Sequence, residues 1–135
     1  MPPIAIFLRA SAVLLLVVSA LHLVLGLRAE VLLGAAIPGD VIANAVLDSQ
    51  NRFYGVAFAL YGVLAFLCAA RLQDYATVLR CVLWCLFAGG VARLVSILLY
   101  GLPSSLVLAL LALEIALPPL LLVWLWRTLR ALPAR

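Results

Sequence analysis

Four long runs of apolar residues dominate this sequence, and each has the length that a helix needs to cross a membrane. The chain is 69% hydrophobic and only 10% charged over 135 residues. Crossing the hydrocarbon core of a bilayer takes about 20 apolar residues. Charges and turn residues delimit runs at about 6–27, 51–70, 78–99 and 105–126. Because a helix satisfies its own backbone in lipid, we expect an all-α, integral membrane four-helix bundle, as a single domain over 1–135.

The first run also has features of a secretory signal. Arg9 precedes an apolar stretch, and Val18-Ser19-Ala20 imitates a small-residue cleavage site. The apolar stretch continues to Leu27, which is longer than a signal requires. We therefore favour a membrane helix, with a cleaved signal as the alternative.

The links between the runs differ in length. The first link, about 28–50, is too long for a simple turn and too apolar for a disordered one. Pro38-Gly39 interrupts it, and Asp40 is placed to cap a short helix over 41–48. We expect this segment to lie as a lid on the outer membrane interface. The last link, 100–104, is a tight turn, so the third and fourth helices are predicted to be antiparallel neighbours.

The basic residues set the predicted orientation. All nine are arginines, and eight of them are scattered near the ends of the runs rather than forming a basic stripe, which argues against nucleic-acid binding. Six fall on the side of the termini and two on the other, and the positive-inside rule then puts both termini in the cytoplasm. The two groups are Arg9, Arg71, Arg80, Arg127, Arg130 and Arg135 against Arg28 and Arg52.

Two charges, Arg93 and Glu114, lie within the third and fourth runs. A charge at this depth is costly, and such residues are usually paired, turned inward and functional. At about 1.5 Å rise per residue, Arg93 lies roughly 10 Å and Glu114 roughly 15 Å from the outer end of its helix. The long arginine side chain spans this difference, so we expect a buried ion pair.

Other polar residues fall in the outer half of the predicted bundle. We take them, with the ion pair, as a candidate ligand-binding set: His22, Asn51, Arg52, Tyr54, Arg93, Ser96 and Glu114. Small residues at helical spacing, Gly55, Ala59 and Gly62 in one run and Ala88, Ala92 and Ser96 in another, predict close helix contacts. The chain has no metal-ligand set, nucleophile motif or cofactor fingerprint, so we expect no metal, no cofactor and no catalytic residue.

Several of these residues form a pattern that resembles a known family. The segments are Asn51-Arg52-Phe53-Tyr54-Gly55, then Gly89-Gly90 with Arg93 and Ser96, then Gly101-Leu102-Pro103, and finally Glu114. They are similar to the bacterial four-helix membrane family called domain of unknown function 4345, over nearly the whole chain. The resemblance implies a compact membrane bundle in the bacterial inner membrane, without an assigned activity. Tyr100 departs from it, since a short acidic residue is favoured there.

Four functions are open at this point. The favoured one is a binding or accessory protein in which Arg93 or Arg52 holds the head of a lipid-like or quinone-like amphiphile. In the second, the chain is a structural subunit of a homo-oligomer or larger membrane complex, and the ion pair only fixes two helices in register. The third is an intramembrane isomerase or proton-transfer enzyme using Glu114 and His22. The fourth, a small proton-coupled transporter, is disfavoured because a neighbouring arginine keeps Glu114 ionised.

Overall fold

The computed structural model describes residues 1–131, and within this range every regular element is an α-helix. The predicted all-α class is confirmed. The helices are α1 (Pro3–Leu25), α2 (Arg28–Leu32), α3 (Gly39–Ile42), α4 (Ala45–Ala70), α5 (Ala76–Tyr100) and α6 (Ser105–Ala131). Four of them, α1, α4, α5 and α6, are long and apolar enough to cross a membrane, so the chain is a multi-pass membrane protein. Arg135, which entered the charge comparison, lies outside the described residues.

The second long helix begins earlier than the sequence predicts. α4 starts at Ala45 instead of residue 51, because Asn44 caps it: the Asn44 Oδ1 accepts hydrogen bonds from the backbone N–H groups of Val46 (3.0 Å) and Leu47 (3.2 Å). The prediction of a short helix over 41–48, capped by Asp40, is therefore wrong. The short helix here is α3, preceded by Pro38, and no side chain caps it.

The segment between α1 and α4 is held by turns rather than by one continuous helix. Gly26 (φ +56°) follows α1 and Gly34 (φ +93°) follows α2, and both adopt a left-handed conformation that favours glycine. The Gly26 N–H donates to the His22 carbonyl, which closes the last turn of α1. The predicted lid thus consists of α2, α3 and their connecting turns.

The chain divides into two compact units. The α5–α6 unit comprises Met1–Phe7 and the chain from Leu67 onward, and it holds the largest fully buried side chains: Ile4, Cys68, Leu79 and Leu125. In this unit the Phe7 and Trp124 rings lie with centroids 6.1 Å apart. The Cys68 thiol donates to the Tyr75 carbonyl (3.7 Å). The core of the α5–α6 unit is therefore mainly apolar.

The α1–α4 unit comprises Leu8–Phe66 and has a different interior. Its buried polar side chains are Ser19, His22 and Asn51. Two glycines of α4 bring it against α1: a Cβ at Gly55 would lie 3.0 Å from Leu23 Cγ, and one at Gly62 would lie 2.9 Å from Leu16 Cγ. The predicted close contacts of Gly55 and Gly62 are confirmed.

The close contact on α5 differs from the predicted one. Ala88, Ala92 and Ser96 are exposed, whereas Gly90 is buried against α6. A Cβ at Gly90 would lie 2.9 Å from Ile115 Cδ1 and 3.0 Å from Glu114 Cβ. Gly90, not the alanine stripe, therefore sets the spacing of α5 and α6.

Adjacent glycines on α5 provide a matched test of this packing. We expect Gly90→Leu to lower the free energy of unfolding by about 1 to 3 kcal/mol, because the new side chain must enter space that α6 occupies. Gly89→Leu should cause no loss, since a Cβ there meets nothing within 4 Å. Thermal unfolding in detergent measures both. Equal Tm values for the two variants would contradict the assignment.

Candidate functional site

The polar interior of the α1–α4 unit is organised around one carboxylate, that of Glu30. The His22 Nδ1 donates to the Val18 carbonyl (2.8 Å), and the His22 Nε2 faces Glu30 Oε1 at 3.3 Å. The Asn51 Nδ2 donates to the same Oε1 (3.2 Å). The Phe58 ring lies against the imidazole, with centroids 5.3 Å apart. Glu30 thereby joins α2 to both α1 and α4.

Glu30 is absent from the sequence-predicted set, although His22 and Asn51 are in it. Gly26 adopts a left-handed conformation between α1 and α2, and the His22–Glu30 contact shows that α2 lies against the last turns of α1. A glycine that ends a membrane helix, with a polar residue four positions on each side of it, is the signal that would have found the His22–Glu30 pair.

One atom of this cluster has no partner in the part of the chain that the structure describes. The Asn51 Oδ1 is buried and accepts no hydrogen bond there. The amide orientation is fixed, because rotating it would turn Oδ1 toward the Glu30 oxygen, and two acceptors would then face each other. Asn51 therefore offers an acceptor inside the unit.

A second ion pair completes the C-terminal end of α1. The Asp48 Oδ1 accepts from the Leu27 N–H (3.0 Å), and its Oδ2 accepts from Arg52 Nε (2.8 Å). The Arg52 Nη1 donates to the Leu23 carbonyl, one of the last carbonyls of α1. Asp48, also missed, was detectable from its spacing of four residues before Arg52.

Two adjoining grooves open on this unit. The first is apolar, has a volume of about 540 Å³, and is lined by Leu25, Arg28, Val31, Leu32, Gly39 and Ile42. The second, of about 360 Å³, shares Leu25, Arg28 and Ile42 with the first and adds Asp48 and Arg52 to its lining. A polar groove thus continues into an apolar one at the exposed Arg28, another residue missing from the predicted set.

The other predicted site residues lie apart from this cluster or in the other unit. Tyr54, in the α1–α4 unit, is exposed. In the α5–α6 unit Arg93 Nε donates to Glu114 Oε2 (2.7 Å), with side chains 37% and 22% exposed, and Ser96 is exposed on α5. That all seven residues line one pocket stays a prediction. Among residues 1–131, no group of three or more His, Cys, Asp and Glu side chains could hold a metal ion.

The Arg93–Glu114 contact generates a double-mutant test. Removing either partner leaves the other charge without compensation at membrane depth, so Arg93→Met and Glu114→Leu should each cost about 1 to 3 kcal/mol of unfolding free energy. The double variant should recover most of the loss. Thermal unfolding in detergent measures the cycle. Additive losses would show that the two charges do not interact.

Comparisons with known proteins place the sequence in a family. No curated protein and no solved structure matches the chain at a significant level. The family model described as "Domain of unknown function (DUF4345)" matches residues 4–125, which include all six helices up to the last turns of α6. The chain therefore belongs to the family described as Domain of unknown function (DUF4345).

Proposed function

We propose that this membrane protein binds an anionic phospholipid in the paired grooves of the α1–α4 unit. One observation carries the proposal: the polar groove beside Arg52 continues into the apolar groove at Arg28. A phospholipid has the same order of polar and apolar parts, because its charged head group is joined directly to acyl chains. No step of catalysis is needed to account for this arrangement.

The charges of the grooves favour an anionic head. Arg28 and Arg52 contribute two positive charges and Asp48 one negative charge, which leaves a net charge of +1. Arg52 is already held by Asp48 and by the Leu23 carbonyl, whereas Arg28 interacts with Asp48 only through longer-range attraction. The exposed Arg28 guanidinium is therefore the group offered to a ligand. A phosphodiester carries one negative charge and accepts hydrogen bonds from a guanidinium.

The apolar groove suits an acyl chain. Its walls come from Leu25 of α1, Val31 and Leu32 of α2 and Ile42 of α3, and its volume is in the range of small-molecule sites. A lipid-like ligand fits this lining better than a quinone, whose ring carbonyls require donors inside the apolar part. The His22–Glu30–Asn51 cluster has a supporting role, because it holds α2 in place.

The arginine distribution supports an inner-membrane protein with both termini in the cytoplasm and the grooves at the outer leaflet. Arg71 and Arg80 flank the α4–α5 link, and Arg127 and Arg130 lie at the end of α6, whereas Arg28 and Arg52 flank the link between α1 and α4 and line the polar groove. We also propose that the protein assembles with other chains, either as a homo-oligomer or in a larger membrane complex.

Lipid retention tests the groove. In nanodiscs, the protein should enrich phosphatidylglycerol over phosphatidylcholine when its bound lipids are counted by native mass spectrometry, and Arg28→Gln should abolish that preference. Arg71→Gln is the matched control, because it removes an equal charge just after the end of α4, from a residue that lines neither groove, and should keep the preference. A preference that falls equally in both variants would indicate lipid attracted by general surface charge, and would contradict a groove.

A second variant tests the apolar part without changing charge. Gly39 lines the apolar groove, and a Cβ there meets nothing within 4 Å, so Gly39→Leu places a side chain in the groove without a clash. The variant should fold normally and retain less phosphatidylglycerol. Unchanged retention would show that the acyl chain lies elsewhere.

The orientation has its own test. Green fluorescent protein fused after Arg135 should fluoresce, because it folds in the cytoplasm, and alkaline phosphatase fused at the same place should be inactive. Insertion of the phosphatase at Gly34, in the groove segment, should be active. The reverse pattern would put the grooves at the inner leaflet.

A further inference from the structure

The hydrogen bonds of His22 determine how many protons the cluster holds. The Val18 carbonyl can only accept, so the His22 Nδ1 carries a hydrogen. In a neutral imidazole the other nitrogen, Nε2, is then an acceptor, and it faces Glu30 Oε1, which is also an acceptor when the carboxylate is ionised. Two acceptors at 3.3 Å repel each other unless a hydrogen lies between them.

We infer that His22 and Glu30 form a buried proton-binding site that holds one shared proton. The proton lies between Nε2 and Oε1, either as imidazolium with carboxylate or as neutral imidazole with carboxylic acid. Asn51 donates to the same oxygen in both cases, and so supports the site without supplying the missing hydrogen. The site goes beyond lipid binding, because it binds a proton whether or not a lipid is present.

The exposed fractions of the two side chains indicate how a proton reaches the site from solvent. The His22 side chain is 4% exposed and the Glu30 side chain 36% exposed. On α4 the Phe58 ring covers the imidazole. A proton therefore exchanges with solvent at Glu30 and reaches the imidazole through the carboxylate.

The neighbouring charges do not replace this proton. Within the α1–α4 unit, the charged groups that line the adjoining polar groove are Arg28 on α2 and Asp48 and Arg52 on α4, while on α1 the Val18 carbonyl accepts from the imidazole. Asp48 and Arg52 are engaged with each other and with the end of α1. Within the described residues none of these groups donates a hydrogen bond to Oε1 or Nε2, so the His22–Glu30 contact depends on its own proton.

Loss of the proton has a mechanical consequence. Once both groups are acceptors, Glu30 keeps its hydrogen bond from Asn51 on α4 but loses the one to α1. α2, which carries the groove residues Arg28, Val31 and Leu32, is then held less firmly. Lipid binding should therefore weaken as the proton leaves with rising pH. This link to the groove rests on the proposed function, whereas the proton site does not.

The chain has few histidines and glutamates, so the protons on His22 and Glu30 can be counted by spectroscopy. His22 is the one histidine, and Glu30 and Glu114 are the two glutamates, so labelling both residue types gives one imidazole and two carboxyl signals. Nuclear magnetic resonance of the full chain in nanodiscs, with ¹⁵N-histidine and ¹³C-glutamate and with Glu114→Gln for assignment, reports both groups at pH 7. We expect one proton in total on Nε2 and Oε1. A neutral imidazole beside an ionised Glu30, or an imidazolium beside a carboxylic acid, would overturn the site.

Two variants separate a shared proton from independent ones. In Glu30→Gln the new amide donates to Nε2, so the imidazole should be neutral and hydrogen-bonded at Nε2, whereas Asp40→Asn, an equivalent change at an exposed carboxylate on α3, should leave it as in the parent protein. An imidazole that carries a second proton in Glu30→Gln would overturn the sharing.

The effect on α2 is measured by hydrogen exchange of the amides of Ala29–Leu33, expressed as protection factors so that base catalysis cancels. We expect protection in the parent protein to fall about tenfold or more with rising pH, as for the loss of one charge-assisted hydrogen bond. His22→Gln, whose amide donates to Glu30 at every pH, should stay constant. Constant protection in both would overturn the release of α2. If the protein showed no preference for phosphatidylglycerol but the pair still held one proton, the proposed lipid binding would be wrong and the proton site would stand.

Discussion

The contact on which the α1–α4 unit depends is that of one carboxylate with two helices. Glu30 reaches His22 on α1 and Asn51 on α4 from a helix of only five residues. A helix of this length has no stability of its own in water or at an interface, because nucleation costs more than a few backbone hydrogen bonds return. α2 therefore exists because Glu30 anchors it. The wall of the apolar groove, the position of Arg28 and the enclosure of His22 all follow from that anchor.

The two units meet the demands of the membrane in different ways. In the α5–α6 unit, large apolar side chains such as Leu79 and Leu125 fill the core, and a glycine on α5 brings the helices close. In the α1–α4 unit, glycines again bring two helices together, but the space between them contains histidine, serine and asparagine. Lipid tails can replace the apolar contacts that one helix makes with another, but they cannot replace a hydrogen bond between helices. A polar interior of this kind specifies its partners more narrowly than an apolar one.

Much of the fold could be predicted from the sequence, since hydropathy alone determines four spans of sufficient length. The proximity of Arg93 and Glu114 also follows from sequence, because a four-residue turn forces two adjacent helices to run antiparallel at known rise per residue. The start of α4 could not be read from hydropathy, since Ala45 to Gln50 are too polar for a span, and the Asn44 cap decides it. Glu30 and Arg28 were missed because they lie outside the apolar runs. Their importance comes from a left-handed turn at Gly26 that only the folded backbone reveals.

The position of Gly26 has a consequence for how the protein is made. A side chain there would collide with the Asp48 carboxylate, and the groups that complete the end of α1, Asp48 and Arg52, belong to the next long helix. When α1 leaves the ribosome, its final carbonyls and the Leu27 amide have no such partners. The C-terminal end of the first span is thus completed only when the second span has formed beside it, which makes the helical hairpin, rather than the single helix, the unit of assembly.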